Sequence, residues 1–252
     1  MLAVPAALSF IVTIDGPAGT GKSTVANSLA KRLGLEFLDT GAMYRAAALE
    51  ALDRGIDPAD GARVTALMRG LELAFDWKRD PPELFVNGRP VGDRIRTPEV
   101  TRAVSLVASN PAVRNEMVRA QRGIAARHPR LVTEGRDQGS VVFPDADVRI
   151  YLDARPEVRA RRRVEQLAAK GIVTNEAEVL AQILERDRID STRADGPLVC
   201  PNGAAVVDTS DIDVPDVIDR LAEIVRIRAG EALAASERGR RGNSASGGTH
   251  AS

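Results

Sequence analysis

The chain has 252 residues, 44% hydrophobic and 28% charged, which suits one large domain or one domain carrying a substantial insertion. Its 35 basic and 35 acidic residues cancel, so no global field draws it to nucleic acid or an anionic membrane, and any anion must be held by a local cluster. One cysteine, Cys200, excludes an internal disulfide and a cysteine-based metal site and suits a reducing cytosol.

The N-terminus, Met1 to Ser9, is apolar but lacks a basic n-region, so no signal peptide is expected. No run of about 18 apolar residues is present to cross a bilayer. Phe10 to Asp15 reads as a buried strand and Ser23 to Leu33 as a helix. Between them, Gly16-Pro17-Ala18-Gly19-Thr20-Gly21-Lys22-Ser23, continued by Thr24, fits G-x-x-x-x-G-K-[ST] in the context its mechanism needs. The glycines let several N–H groups aim at one anion, and the helix N-terminus adds its positive dipole end. Lys22 is placed to reach the β- and γ-phosphates of ATP, and Ser23 to ligate Mg²⁺.

Leu35 to Leu38 is a second strand, followed by a helix from about Thr40 to Arg54. Later strand candidates are Leu131–Thr133, Val148–Leu152 and Ala205–Val207, separated by helical patterns over 112–127, 156–170, 175–191 and 214–228. Such alternation predicts an α/β fold: a parallel sheet with helices on both faces. One stretch breaks it. Leu71–Phe75 and Leu84–Val91 look like strands, the latter holding the turn signal Asn87-Gly88, so a small antiparallel unit over about 64–98 is expected as an insert. From about Glu231 to Ser252 the chain is rich in Ser, Gly, Ala and Arg without an apolar face, which predicts a disordered tail beyond a 10–230 domain.

No N-K-x-D motif follows the loop, which counts against a switch GTPase. The two histidines, His128 and His250, sit beside no nucleophile candidate; His128 reads as a helix end and His250 as part of the tail. An alcohol acceptor needs a base to take its proton, whereas an acceptor phosphate is already ionised. Many arginines and few bases favour a phosphate acceptor. Arg45 lies on the helix after strand two, and Arg136 follows Glu134-Gly135 at a strand end, where ligand sites form. Arg186, Asp190 and Arg193 share one helix face by spacing, as do Arg159 and Arg163. The same spacing also describes a solvated helix laced with ion pairs, the reading for Glu185, Asp187 and Arg188.

Asp39-Thr-Gly-Ala-Met-Tyr-Arg45, Ile95-Arg96-Thr97, Glu134-Gly-Arg-Asp137, Val141-Val-Phe-Pro144, Glu185-Arg186 through Asp190-Ser-Thr-Arg193, and Pro197-Leu198 together resemble bacterial cytidylate kinases, in order from about Ile11 to Ala229. The resemblance implies a P-loop nucleoside-monophosphate-kinase fold with a five-stranded parallel sheet, a monophosphate-binding insert and a lid over about 155–170. It implies transfer of the ATP γ-phosphoryl group to CMP or dCMP with Mg²⁺, by a cytoplasmic monomer with no nucleic-acid or membrane partner. By position it makes Arg45, Arg136 and Arg193 the acceptor-phosphate clamp and Ser105, Arg114 and Asp137 the cytosine readers. Asp190 and Arg186 become sugar contacts, Thr40 and Tyr44 line the pocket, and Arg159 and Arg163 are lid arginines over the transferring phosphoryl. A related kinase preferring UMP or a small metabolite, and a non-catalytic P-loop binding module, are the rival readings.

Overall fold

A computed structural model describes residues 9–169 and 171–245. Met1–Leu8, most of the segment in which no signal peptide is expected, lie outside the described residues, as do Lys170 and residues 246–252 with His250.

Among the described residues, eight strands alternate with eight α-helices and two short helical turns. The first strand, β1 (Phe10–Asp15), is followed by α1 (Lys22–Leu33), β2 (Glu36–Asp39) and α2 (Thr40–Asp53). Then come α3 (Gly61–Arg69), the strands β3 (Leu73–Asp76), β4 (Glu83–Val86) and β5 (Arg89–Pro90), and a 3-10 helix over Gly92–Arg96. The chain continues with α4 (Pro98–Ser109), α5 (Pro111–Arg127), β6 (Arg130–Gly135), a π-helical turn over Gln138–Val142, and β7 (Val148–Asp153). It closes with α6 (Pro156–Ala168), α7 (Glu176–Thr192), β8 (Ala205–Asp208) and α8 (Val214–Ala245).

Five strands form one parallel sheet in the order β2-β6-β1-β7-β8, as the alternation predicts. Both faces are covered, so its strands read as nearly continuous apolar runs. On one face Val12, Ile14, Val132 and Ile150 pack against Val25 and Leu29 of α1 and Leu221 of α8. On the other, Leu131 packs with α2, α4 and α5 through Met43, Val104 and Met117. Alternation along β6 therefore sends Leu131 and Val132 into different cores.

The insert is antiparallel, with strand order β3-β4-β5. Leu84–Val91 is a hairpin rather than one strand: Asn87 and Gly88 both take positive φ, 49° and 74°, and turn β4 into β5. Two helices stand where the sequence reading placed none. α3 is capped by Asp60, and α4 starts at a Thr97 cap with Pro98 in its first turn.

The last helix runs on through Ala245, past Gly230, where the sequence reading begins a disordered tail. Alanine, leucine, glutamate and arginine in Glu231–Arg241 are good helix formers, so the backbone has no local reason to stop. Among the α8 residues whose burial is described, Val217, Leu221, Ala222, Val225 and Ala229 are buried.

Leu221 is fully buried between α8 and the sheet. Leu221→Ala should cost about 2–5 kcal/mol, read as a lower urea midpoint at unchanged slope. Ending the chain after Gly230 should leave that midpoint within error. A clear drop on truncation would show that the last fifteen helical residues dock on the core.

Candidate active site

Strands β2, β6 and β1 are neighbours, and each ends at the same edge of the sheet in a segment singled out above. The loop after β1 carries Gly16 to Ser23. Gly16 is held at φ 149°, and a Cβ on it would stand 2.0 Å from the Leu152 carbonyl oxygen, so no other residue fits between β1 and β7. Pro17 and Thr20 are buried behind it, with the Thr20 hydroxyl donating to the Pro17 carbonyl at 3.2 Å. Helix α1 begins at Gly21 without a side-chain cap, so its first N–H groups stay available to an anion, with Ser23 and Thr24 exposed in its opening turn. Lys22 is 5% exposed and donates to the Pro17 carbonyl at 2.7 Å. Burial, and then the charge of Arg136, push its pKa down to about 7.

Beside the loop, Ser23 Oγ donates to Glu134 Oε1 at 2.8 Å. Glu134 lies in the last two residues of β6, and Asp39, the cap of α2, reaches the same place. Burial and then the Glu134 charge push the Asp39 carboxyl up to about 7. Two carboxyl groups crowded against a hydroxyl form a set of hard oxygen donors that wants a cation. Asp39 and Glu134 were not among the predicted site residues, although both stand at the ends of predicted motifs.

Arg136 Nε donates to Asp190 Oδ2 at 2.8 Å, and Arg193, the C-cap of α7, places Nη1 3.7 Å from Asp190 Oδ1. Arg186 lies against the same carboxylate; burial and then Arg136 pull its pKa down to about 10. Arg45 bonds Thr101 Oγ1 at 2.9 Å and the Ile95 carbonyl at 3.3 Å, and is lowered by burial with Arg96, Arg163 and Arg136 adding to it. So Arg136, Arg186 and Arg193 share one carboxylate that cannot neutralise them all, and the charge of Arg45 is felt at Arg186. Burial raises Asp190, but Arg136 and Arg186 outweigh it and hold its carboxyl below the usual range.

The two lid arginines part company. Arg163 is exposed on α6 and unpaired among the described residues, yet its charge is felt at Arg45. Arg159 is 3% exposed and tied on three sides. It donates to Ala18 O at 2.9 Å, to Ala154 O at 2.8 Å and to Asp187 Oδ2 at 2.7 Å. Arg159 therefore braces the loop from behind instead of lying free over it, because all three of its nitrogens are already committed. Asp187, read above as part of a solvated ion-pair face, is its partner. Glu185 and Arg188 do form an exposed pair.

Arg114 and Asp137 make a buried ion pair, 2% and 3% exposed, with the Arg114 guanidinium 5.7 Å from the Tyr44 ring centre. Burial pushes the Asp137 carboxyl above its usual range although Arg114 stands against it. Gly196, at φ 56°, lies on this pair so closely that a Cβ would come within 2.4 Å of both side chains. Thr40 closes the floor, its hydroxyl donating to Glu134 O at 2.6 Å. Ser105 is half-buried on α4, and its hydroxyl makes no hydrogen bond among the described residues. No group of three or more His, Cys, Asp or Glu side chains among the described residues could hold a metal alone.

Residues 12–227 match the family described as Cytidylate kinase. The chain is 47% identical over 222 residues to the cytidylate kinase of Rhodococcus opacus, covering 88% of this chain and 97% of that protein. It is 47% identical over 219 residues to the cytidylate kinase of Mycobacterium avium, covering 87% and 96%. A bifunctional pantoate ligase/cytidylate kinase of a Synechococcus species is 48% identical over 225 residues, which span 88% of this chain and 46% of that protein.

With a pKa near 7, Lys22 is mostly neutral in the free protein at pH 8. A polyphosphate beside its amine favours the charged form, so binding raises that pKa. Magnesium-free ATP titrated at pH 8 in buffers of different ionisation enthalpy should therefore show net proton uptake approaching one. Lys22→Arg, which is charged throughout, should bind without that uptake. Absence of uptake in the parent would mean Lys22 is already protonated before ATP arrives.

Proposed function

We propose a division of labour for a chain that belongs to the cytidylate kinase family and transfers the γ-phosphoryl group of ATP to CMP or dCMP. Gly16 to Thr24 take the ATP phosphates, with Lys22 directed to the β and γ groups. Arg45, Arg136 and Arg193 hold the phosphate of the acceptor, and Arg186 and Asp190 face its sugar. An oxygen of the acceptor phosphate attacks the γ-phosphorus, the bond to the β–γ bridging oxygen breaks, and ADP leaves. The attacking oxygen is already ionised, so no base is required and catalysis is positioning and charge neutralisation. Arg163, exposed and near Arg45 in effect, is the lid arginine suited to reach the moving phosphoryl; Arg159 acts by holding Ala18.

Ser23, Asp39 and Glu134 would hold Mg²⁺. The fit rests on hard oxygen donors gathered where burial, and then the Glu134 charge, already raise the Asp39 pKa. The ion would supply neutralisation of the β- and γ-phosphate charge. No helix of the described residues is long and apolar enough to cross a membrane. Zero net charge gives no global field to recruit nucleic acid or a membrane, and an exposed free cysteine suits a reducing compartment, so we place the enzyme in the cytoplasm, as a monomer acting on small nucleotides.

The observation that carries the base assignment is the buried Arg114–Asp137 pair beside Tyr44. Asp137 Oδ1 is left to accept from the cytosine N4 amino group, while Arg114 donates to the N3/O2 edge, with Ser105 beside them. Uracil reverses two of these contacts by presenting O4 and N3–H. Each buried unpaired group costs about 1–3 kcal/mol, enough together for about 10²- to 10⁴-fold discrimination.

Asp137→Asn removes the charge and offers an NH₂ that can face O4. Its kcat/KM for CMP should fall, and the CMP-to-UMP ratio should narrow by at least about tenfold, near 1.4 kcal/mol. A coupled ADP-release assay with CMP, dCMP, UMP and no acceptor measures this at one ATP and Mg²⁺ concentration. An unchanged ratio would remove Asp137 from base reading. ATP binding with no ADP release that depends on an added monophosphate would support a P-loop binding module instead.

A further inference from the structure

Asp15 ends β1 and immediately precedes Gly16, and its side chain is bonded to the segment that follows β6. Its carboxylate is fully buried and both oxygens are used. Oδ1 accepts from the Gln138 N–H and Oδ2 from the Gly139 N–H, each at 2.7 Å. Those two N–H groups open the π-helical turn Gln138–Val142, whose first residue follows Asp137. At the other end of the turn, Arg122 of α5 donates to the carbonyls of Val142 and Val141, both at 2.9 Å. A negative group thus holds the N–H end and a positive group the carbonyl end, the sense that a helical dipole favours. Gln138 is fixed as well: it accepts from the Thr133 hydroxyl at 2.9 Å and donates to Gln121 at 3.2 Å.

Burial pushes the Asp15 carboxyl up to about 7, while the two N–H donors pull it down. Both neighbours are donors, so the ionised form is the one this geometry binds. Arg136 and Asp137 are the two residues between β6 and this turn. Their place is set on one side by the sheet and on the other by the residue that starts the ATP loop.

We propose that Asp15 is a positioning residue for the acceptor nucleotide, fixing the spacing between the ATP loop and the Arg136–Asp137 segment through its two backbone hydrogen bonds. The proposal rests on the reading above that Arg136 and Asp137 face the acceptor. Asp15 touches neither substrate, and its effect should appear in acceptor binding and base discrimination rather than in ATP binding.

Asp15→Asn keeps the volume but turns an NH₂ against one of the two N–H groups. Steady-state kinetics of the full chain should show KM for CMP raised by about tenfold or more, KM for ATP within about twofold, and a narrower CMP-to-UMP ratio. Arg122→Met, at the far end of the turn and outside both pockets, should move KM for CMP the same way by about threefold. If Asp15→Asn does not fold, Arg122→Met decides: an unchanged KM for CMP overturns the proposal. So does a fall in kcat alone, which is what loss of active protein produces, or an equal rise in both KM values, which would place the effect at the loop. Asp137→Asn run alongside separates the two readings. If it narrows the CMP-to-UMP ratio while Asp15→Asn changes neither KM nor ratio, base reading stands and positioning fails.

Discussion

Cations held out of water with too few anions beside them set the terms for everything at the end of this sheet. Lys22 is buried, with Arg136 and Arg186 half-buried within range of it, and burial followed by repulsion from Arg136 lowers the pKa of Lys22 and of Arg186. Asp190 answers part of that charge and Glu134 another part, but each carboxylate serves several partners. Such a cluster is costly to fold and is relieved by any ligand that brings several negative oxygens at once. Two phosphate-bearing substrates do so together. The folded chain therefore stores, as repulsion, part of the free energy that phosphate binding releases.

That crowding follows from topology. In a parallel sheet the chain leaves every strand at the same edge, so adjacent strands deliver their following residues to one place. Here β2 delivers Asp39 and Thr40, β6 delivers Glu134 to Asp137, and β1 delivers the phosphate loop. The order β2-β6-β1 puts residues separated by about a hundred positions within hydrogen-bond reach, as in the bond from Ser23 to Glu134. The antiparallel insert and α4 wall the opposite side, where Ile95 and Thr101 hold Arg45 in place.

Much of this was legible in the residues. The phosphate loop announces itself by spacing between a strand and a helix, and the five strands by apolar runs bounded by turns. What spacing could not give is which side chains meet. Arg159 and Arg163 share a helix face at i and i+4, and nothing in that pattern says that one is tied down at 3% exposure while the other stands free. Asp187 belonged by pattern to a solvated face, but the partner that buries it comes from another helix. The role of Asp15 was hidden for the opposite reason: a carboxylate at the end of an apolar strand has no motif, and its partners are backbone groups more than 120 residues away. The helices α3 and α4 were within reach, since Asp60, Thr97 and Pro98 are ordinary start signals, but the hairpin signal next to them drew the reading.

The preponderance of arginine can arise from nucleotide bias alone, yet the structure uses what only arginine offers. Arg159 bonds two carbonyls and a carboxylate with three nitrogens at once, joining the phosphate loop, the end of β7 and α7. Arg122 spans two successive carbonyls of one turn, and Arg136 reaches Asp190 and the Gly135 carbonyl together. An ammonium group is a point charge on a flexible stem and cannot fix three elements in a plane. Among the described residues, the one buried lysine sits where the opposite property is wanted. Lys22 is a compact charge whose protonation responds to its neighbours, which suits the role proposed for it at the phosphate that bears developing charge during transfer. Rigid forks frame the site, and a single titratable amine lies at its centre. That division makes Lys22 the position where arginine would substitute least well, even in a chain that otherwise uses arginine almost throughout.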